Sequence, residues 1–305
     1  MRIGLAVPQY GAFTNPDDIV QVSRAAEAMG FDGLWAGDRI LAPLDPADRY
    51  PGGDGTLPPE YLSFLDPIGV LTLAAAVTDR VRLGTSTLNV LWYPPVLLAR
   101  TLTTLDLISH GRLDAGFGLG WSRDEYEAVN VSWAGRGARL DETLDVLEKI
   151  WSDAVVEHDG PRFSIPPSTI GAKPVQRPRP PILLAGFTPA GLSRVGRRAD
   201  GWLGVGMPLP YLTGMWESIL READAAGRDR SALRLVQRLN PRLTGEKAEP
   251  DQIPFRGTVG QLIDYARSAA GAGVHEIFID LQQTTTTTGE MLDIAAAFIE
   301  GVRAG

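Results

Sequence analysis

The sequence predicts an α/β protein built as a closed (β/α)8 barrel of the TIM type, with insertion segments. Three observations carry that expectation. Short apolar, β-prone runs alternate with amphipathic runs from end to end, eight of each, which is the order of a parallel sheet wrapped by helices. A length of 305 residues suits one such barrel. A weak internal echo, MGFDGLW at 29–35, RADGWLG at 198–204 and AGVHEIFI at 272–279, repeatedly joins a helix end to a strand. An open doubly wound sheet stays the alternative. It lacks support, because no glycine-rich phosphate turn follows the first strand and GxGxxG fails at position 121, which is Trp.

The elements follow in order. Arg2–Val7 is apolar and β-prone; Asn15, Pro16, Asp17 and Asp18 then cap and open a helix that Gly30 ends. The second strand is Asp32–Ala36, followed by a long loop and a helix near Asp66–Thr78. The third is Val81–Ser86, with its helix at Pro95–Ser109 and a glycine stop at Gly111. Arg112–Phe117 is the fourth strand, and Ala138–Trp151 its helix. Residues 153–180 break the rhythm with six prolines and two short alternating runs, which reads as a β-hairpin insertion. Pro181–Ala185, Gly201–Val205, Ala232–Leu239 and Glu276–Leu281 supply strands five to eight. Helices running to Ala199 and Gly227, then Val259–Gly271 and Glu290–Arg303, follow them in turn. A second insertion falls near 241–258, and the whole of 1–305 reads as one domain.

Composition narrows the function. Hydrophobic residues at 44% against 22% charged residues give ordinary globular material, able to bury a core. A net charge of -8 with no basic stripe argues against nucleic acid or an anionic membrane as partner. No apolar run approaches a membrane span, and the N-terminus enters a strand rather than a signal peptide. With no cysteine there are no disulfides, thiolate ligands or Cys nucleophiles, which suits a cytoplasmic protein. The three histidines lack metal-ligand spacing. In a barrel, His110 and His275 belong to the bottom and His158 to the hairpin, so no metal site is expected.

Active residues in such a barrel come from strand C-termini and the loops after them. Those positions hold Gln9 and Tyr10; Gly37, Asp38 and Arg39; Thr87, Leu88 and Asn89; Trp121, Asp124 and Glu125; and Gln237, Arg238 and Asn240. The set is polar but has no nucleophile with a histidine base. It suits a cofactor that carries the chemistry itself. Asp38–Arg39 as a surface salt bridge, and Trp121 as core filling, are the plainer alternatives. Gly116, Gly118 and Gly120 alternate with larger residues, so a flat ligand is expected to lie on that backbone. Gly186, Phe187 and Thr188 run into a helix N-terminus that fits either a phosphate cradle or ordinary capping, and Gly204-Val205-Gly206 adds a second backbone approach.

Ser109, Gly111, Arg112, Gly116, Gly118, Gly120, Trp121 and Glu125 form the pattern SxGRxxxGxGxGW with a following Glu. With VRLGTS at 81–86, PPVLLAR at 94–100, RGARLDE at 136–142, PILLAG at 181–186 and ADGW at 199–202, this ordered set resembles the bacterial luciferase-like monooxygenase and oxidoreductase superfamily. The resemblance covers roughly the entire chain. It implies FMN or the deazaflavin F420 at the top face, with the ring against strands three and four and the phosphate near strands five and six. GDR at 37–39 and LGTSTL at 83–88 look like the F420 branch, whose members carry a bulge with a non-prolyl cis peptide, here Ser86–Thr87.

The implied ring contacts are Ser86, Thr87, Leu88, Trp121 and Asp124, with Trp35 also near the ring. The implied phosphate contacts are Gly186, Phe187, Thr188, Val205 and Gly206, and the catalytic candidates are Asp38, Arg39 and Glu125. Arg39 is a departure, since members often carry His there for proton handling. Arg stays protonated, so that role passes to Glu125, Asp38 or the substrate. The expected function is hydride transfer between F420 and a small organic substrate. The alternatives are an FMN-dependent monooxygenase and a cofactor-binding barrel without turnover. The resemblance also implies a homodimer, with Asp66–Thr78 and Pro95–Ser109 as candidate contact surfaces.

Overall fold

The computed structural model describes residues 1–304, and within them eight parallel strands close into a barrel. The strands are β1 (Arg2–Ala6), β2 (Gly33–Ala36), β3 (Arg82–Thr85), β4 (Leu113–Gly118), β5 (Ile182–Leu184), β6 (Gly201–Val205), β7 (Arg234–Leu239) and β8 (Glu276–Ile279). Each pairs with its neighbour in sequence. β1 closes onto β8 through Arg2 and Glu276, and β3 onto β4 through Leu83 and Leu113.

The helices are α1 (Pro16–Met29), α2 (Pro67–Ala76), α3 (Pro95–Ile108), α4 (Arg123–Ala128), α5 (Arg136–Ser152), α6 (Pro189–Arg198), α7 (Leu209–Ala225), α8 (Val259–Gly271) and α9 (Thr288–Arg303). That is one more than the alternation predicts. The charged run after β4 is the first turn of α4 rather than open loop, because Asp124 and Glu125 suit a helix N-terminus.

Local chemistry sets several boundaries. The Asn15 side chain accepts from the Asp17 amide, and Gly30, at φ 87°, closes α1. Thr258 with Gln261 and Thr287 with Glu290 form reciprocal capping boxes at α8 and α9. The first insertion is an antiparallel hairpin, Val156–Asp159 against Ser164–Ser168. Glu142 of α5 anchors it by accepting from the backbone amides of Arg162 and Phe163, both at 3.0 Å. The second insertion holds a short parallel pairing of Arg242–Leu243 with Arg256–Gly257.

The barrel interior explains why only one end is available for chemistry. Trp35, Leu183, Leu203, Val236 and Phe278 fill it, with the Trp35 and Phe278 rings stacked at 4.7 Å. Gly4 and Gly84 face those rings, and a Cβ at either would collide with Trp35. Trp35 therefore does not lie near a ring at the top, as the resemblance implied. It points down the axis, where its indole N–H donates to Glu276 Oε1 at 2.8 Å. Below it, Asp114 pairs with Arg82 and Arg234, each at 2.7 Å, and Arg2 pairs with Glu276 at 2.7 Å. This polar layer seals the bottom. His275 lies there too, its Nδ1 accepting from the Leu235 amide. Among the described residues, no helix is long and apolar enough to cross a membrane.

Candidate active site

The top face is built on the parity of β2. Gly33, Trp35 and Gly37 face the axis, while Leu34 and Ala36 pack outward in the helical layer. Continued past the strand end, the same parity separates two catalytic candidates. Arg39 turns inward, with its guanidinium 4.8 Å from the Trp121 ring centroid and 5.6 Å from that of Tyr61. Asp38 turns the other way, and its Oδ2 accepts from the Asn89 amide at 3.0 Å. Asp38 thus braces the segment after β3, whereas Arg39 stands over the barrel mouth.

Arg39 meets Glu125, from the first turn of α4, at 3.4 Å, and both side chains are almost wholly buried. Glu125 Oε1 also accepts from the Ile40 amide at 3.2 Å. Burial pushes the Glu125 carboxyl above the usual range, against the pull of the Arg39 guanidinium. Burial raises Asp38 more, to about 7; the Asn89 amide opposes this, while the charges of Asp66 and Glu125 add to it. The structure brings Arg39, Glu125 and Trp121 together and keeps Asp38 on the outer side of the same rim.

The segment after β3 is a bulge. The Ser86–Thr87 peptide is cis, as the resemblance implies, and Leu88–Asn89 then pairs with Phe117–Gly118 of β4. This changes the reading of the β4 glycines. A Cβ at Gly116 would run into the Thr85 carbonyl, one at Gly118 into the Thr87 hydroxyl, and one at Gly120 would lie 2.7 Å from Asn89 Nδ2. The glycine row accommodates the neighbouring bulge, whose atoms take the space that side chains there would need. Leu88 is also diverted: its side chain is fully buried in the helical layer, leaving its backbone alone near the mouth.

Opposite the bulge stands Arg238. Its Nη1 donates to the Ser86 carbonyl at 2.9 Å and its Nη2 to Asp280 at 2.6 Å, which fixes the planar group across the mouth. Its buried Nε has no acceptor, and the same is true of Arg39 Nε. Gln237, one residue earlier, faces outward and donates to the Tyr265 hydroxyl. Gln9 donates to the carbonyls of Gly37 and Leu65 and accepts from the Gly37 amide, so it ties β1 to the long loop.

That loop, 40–62, covers half of the mouth with aromatic rings. Tyr10 stacks on Phe64 at 4.9 Å and meets Tyr61 edge-on at 5.1 Å, while Tyr50 bridges Tyr61 and Trp121. The α4 N-terminus holds the loop down. The Ala47 amide donates to Asp124 at 3.1 Å, and the Arg123 amide donates to Asp48 at 2.8 Å. Asp124, expected at the ring, is occupied by this contact. Tyr50, Tyr61, Phe64 and Asp280 were absent from the expected set. They lie in irregular segments without periodicity, and only their long-range contacts reveal them.

The other half of the mouth is open. Phe187 is 41% exposed and Val205 is 45% exposed, beside the partly exposed Gly186 and Gly206. Gly186 and Gly191 approach so closely that a Cβ on either would fall about 3 Å from the other's backbone, so α6 starts hard against the end of β5. The Thr188 oxygen accepts from the Gly191 amide at 3.2 Å. Pro189 offers no donor, so the Thr188 hydroxyl proton and the Ala190 amide are what this turn has left to give. Among the described residues, no cluster of His, Cys, Asp and Glu is arranged to hold a metal ion.

The chain matches known proteins both in sequence and in fold. The family model "Luciferase-like monooxygenase" matches residues 2–301. An uncharacterised protein of Mycobacterium tuberculosis is 33% identical over 215 residues, covering 68% of this chain and 74% of its own. The F420-dependent glucose-6-phosphate dehydrogenase of Amycolatopsis mediterranei is 29% identical over 220 residues, 69% of this chain and 60% of that one. The monooxygenase RslO1 of Streptomyces bottropensis superposes with a TM-score of 0.82 at 23% identity, over 100% of this chain and 99% of that one. Sequence and architecture thus give the same answer from end to end: this chain belongs to the luciferase-like monooxygenase family.

Proposed function

We propose that the chain is an F420-dependent oxidoreductase acting on a small organic substrate at the barrel mouth. The observation that carries this reading is Arg238, a guanidinium pinned to the Ser86 carbonyl and to Asp280 with its Nε–H left unmatched. A buried donor without an acceptor is costly in a finished core but suits a site completed by a ligand. F420 fits the residues present. Arg238 and the bulge would hold the carbonyl-bearing ring, and Thr188, Ala190 and the open backbone at Gly186 and Gly206 would hold the phosphate. The choice of the deazaflavin over FMN rests on the F420-dependent relative together with the GDR and LGTSTL segments.

When bound, F420 supplies a ring carbon that gives or takes hydride. The chain's own residues supply position and polarity. The loop 40–62 and its aromatic rings exclude water from half of the mouth. Asp38 and Arg238 hold the bulge from its two sides through Asn89 and Ser86. Glu125, raised by burial, is the group suited to exchange a proton beside Arg39, which cannot do so.

Titration of the cofactor-free protein with F420 and with FMN, followed by tryptophan quenching, tests the reading. F420 should quench and FMN should not compete at equal concentration, and Arg238→Met should weaken F420 binding. Tight FMN binding with no response to F420 would hand the site to a flavin-dependent monooxygenase. Binding of neither would leave a barrel without this chemistry.

A further inference from the structure

The geometry points to Arg39 as the specificity-determining residue of the mouth, holding a carboxylate carried by a planar, apolar-bodied substrate. This inference rests on reading the mouth as the catalytic site, and it names the class of molecule that site accepts.

Arg39 is a buried cation that is only loosely engaged. The groups facing it are the Glu125 carboxylate at 3.4 Å, the Leu41 carbonyl that accepts from Nη2 at 3.3 Å, and the rings of Trp121 and Tyr61. Both polar contacts are long, and both fall on Nη2. The Nε–H, buried with the rest of the side chain, has no acceptor. A guanidinium offers parallel N–H groups along one edge, which match the two oxygens of a carboxylate better than any single carbonyl does. Glu125 meets the guanidinium at Nη2 through an oxygen it also shares with the Ile40 amide, and the Nε–H stays without an acceptor.

The surroundings fix the body of the ligand. Trp121, Tyr50, Tyr61, Tyr10 and Phe64 make one unbroken run of rings, with successive centroids 4.9–5.6 Å apart except for 5.9 Å between Tyr50 and Tyr61. Arg39 lies against two of them. Trp121, Tyr50 and Phe64, the partly exposed members of this run, are the rings that a flat apolar body would meet while its acid end reaches the guanidinium.

Benzoate and its neutral counterpart benzamide are the probes, measured by calorimetry on the full chain with and without F420. Benzoate should bind about tenfold tighter than benzamide, the difference expected for one charge-assisted pair. Arg39→Met should abolish that preference while F420 still binds, with a lower melting temperature because the buried Glu125 carboxylate loses its cation. Should Arg39→Met not fold, Arg39→Lys decides: a weakened preference supports the planar Nε–H contact, and an unchanged one overturns it. Equal binding of the two probes, binding of neither, or a preference that survives Arg39→Met also overturns the inference. Selective benzoate binding without F420 binding would sink the cofactor reading alone. F420 binding without benzoate selectivity would sink this one alone.

Discussion

One hydroxyl locks β3 to β4: Thr85 Oγ1 donates to the Gly116 carbonyl at 2.7 Å and accepts from the Gly116 amide at 2.9 Å. Both residues are fully buried, so the hydroxyl gives two buried backbone groups a partner out of reach of water. The contact exists only because residue 116 has no side chain. Gly116→Ala should cost roughly 3 kcal/mol, since the obstacle is the Thr85 backbone carbonyl and not a flexible side-chain end. Thr85→Val should cost roughly 2 kcal/mol by leaving both groups unpaired. Urea unfolding of the two variants measures this; a Gly116→Ala protein as stable as the parent would contradict the packing.

Asp38 makes the fold less stable as pH rises through the neutral range. Its carboxyl ionises near 7 in the folded chain, above its ordinary value near 4, because burial disfavours the charge. Between those two values the folded state binds the extra proton, so stability falls with rising pH and levels off above about 7. Asp38→Asn keeps an acceptor for the Asn89 amide and removes the titration. The variant should match the parent near pH 4 and exceed it at pH 8. Melting curves across that range give the slope, and parallel curves for the two proteins would remove the claim.

The pattern of alternating runs was enough to reach the closed barrel, because strand and helix periods depend on neighbours in sequence. The prolines and broken rhythm of 153–180 are local too, and the hairpin Val156–Asp159 with Ser164–Ser168 lies within that segment. The β4 glycines were legible as a close approach but not as an approach to what. Their partners Thr85, Thr87 and Asn89 share the same period of two on the adjacent strand, a match invisible until register is known. Trp35 was misplaced because strand parity was not carried from Gly33 down to the axis. The same parity, carried upward, separates Asp38 from Arg39. The loop Ile40–Leu62 reads as pocket-shaping from its Pro, Gly and Asp content, but which rings it brings to the mouth, Tyr50 and Tyr61 beside Phe64, depends on contacts distant in sequence.

Asp124 is a tether for the loop 40–62, and its removal should loosen that segment without unfolding the barrel. It holds the Ala47 amide while neighbouring Arg123 holds Asp48. Leu44 at the loop's edge is fully exposed and Leu62 is 73% exposed, so little apolar burial secures the outer part of the loop. Asp124→Ala should change global stability by about 1 kcal/mol or less. Amide exchange at 45–57 should rise several-fold, roughly the loss of one hydrogen bond. Exchange rates that stay at the parent level would show that the aromatic contacts alone hold the loop closed.

The outer face of α3 predicts a homodimer. Val96, Leu97, Leu107 and Ile108 are each 39–45% exposed, and Val175 beside them is 48% exposed. The pairs 96/107 and 97/108 lie eleven residues apart, close to three helical turns, so they sit at the two ends of one helix face, with the exposed Arg100 and Thr104 between them. Apolar side chains placed in register on a barrel's outer surface suit an isologous contact, in which the same face meets its own copy across a two-fold axis. Light scattering at micromolar concentration should give about twice the 32.8 kDa of the chain. Leu97→Glu should split the particle, because a carboxylate buried in such a contact is left without a partner. Its melting temperature should then depend less on protein concentration than that of the parent. A parent protein that scatters as 32.8 kDa would end the proposal, and so would a Leu97→Glu variant that remains a dimer.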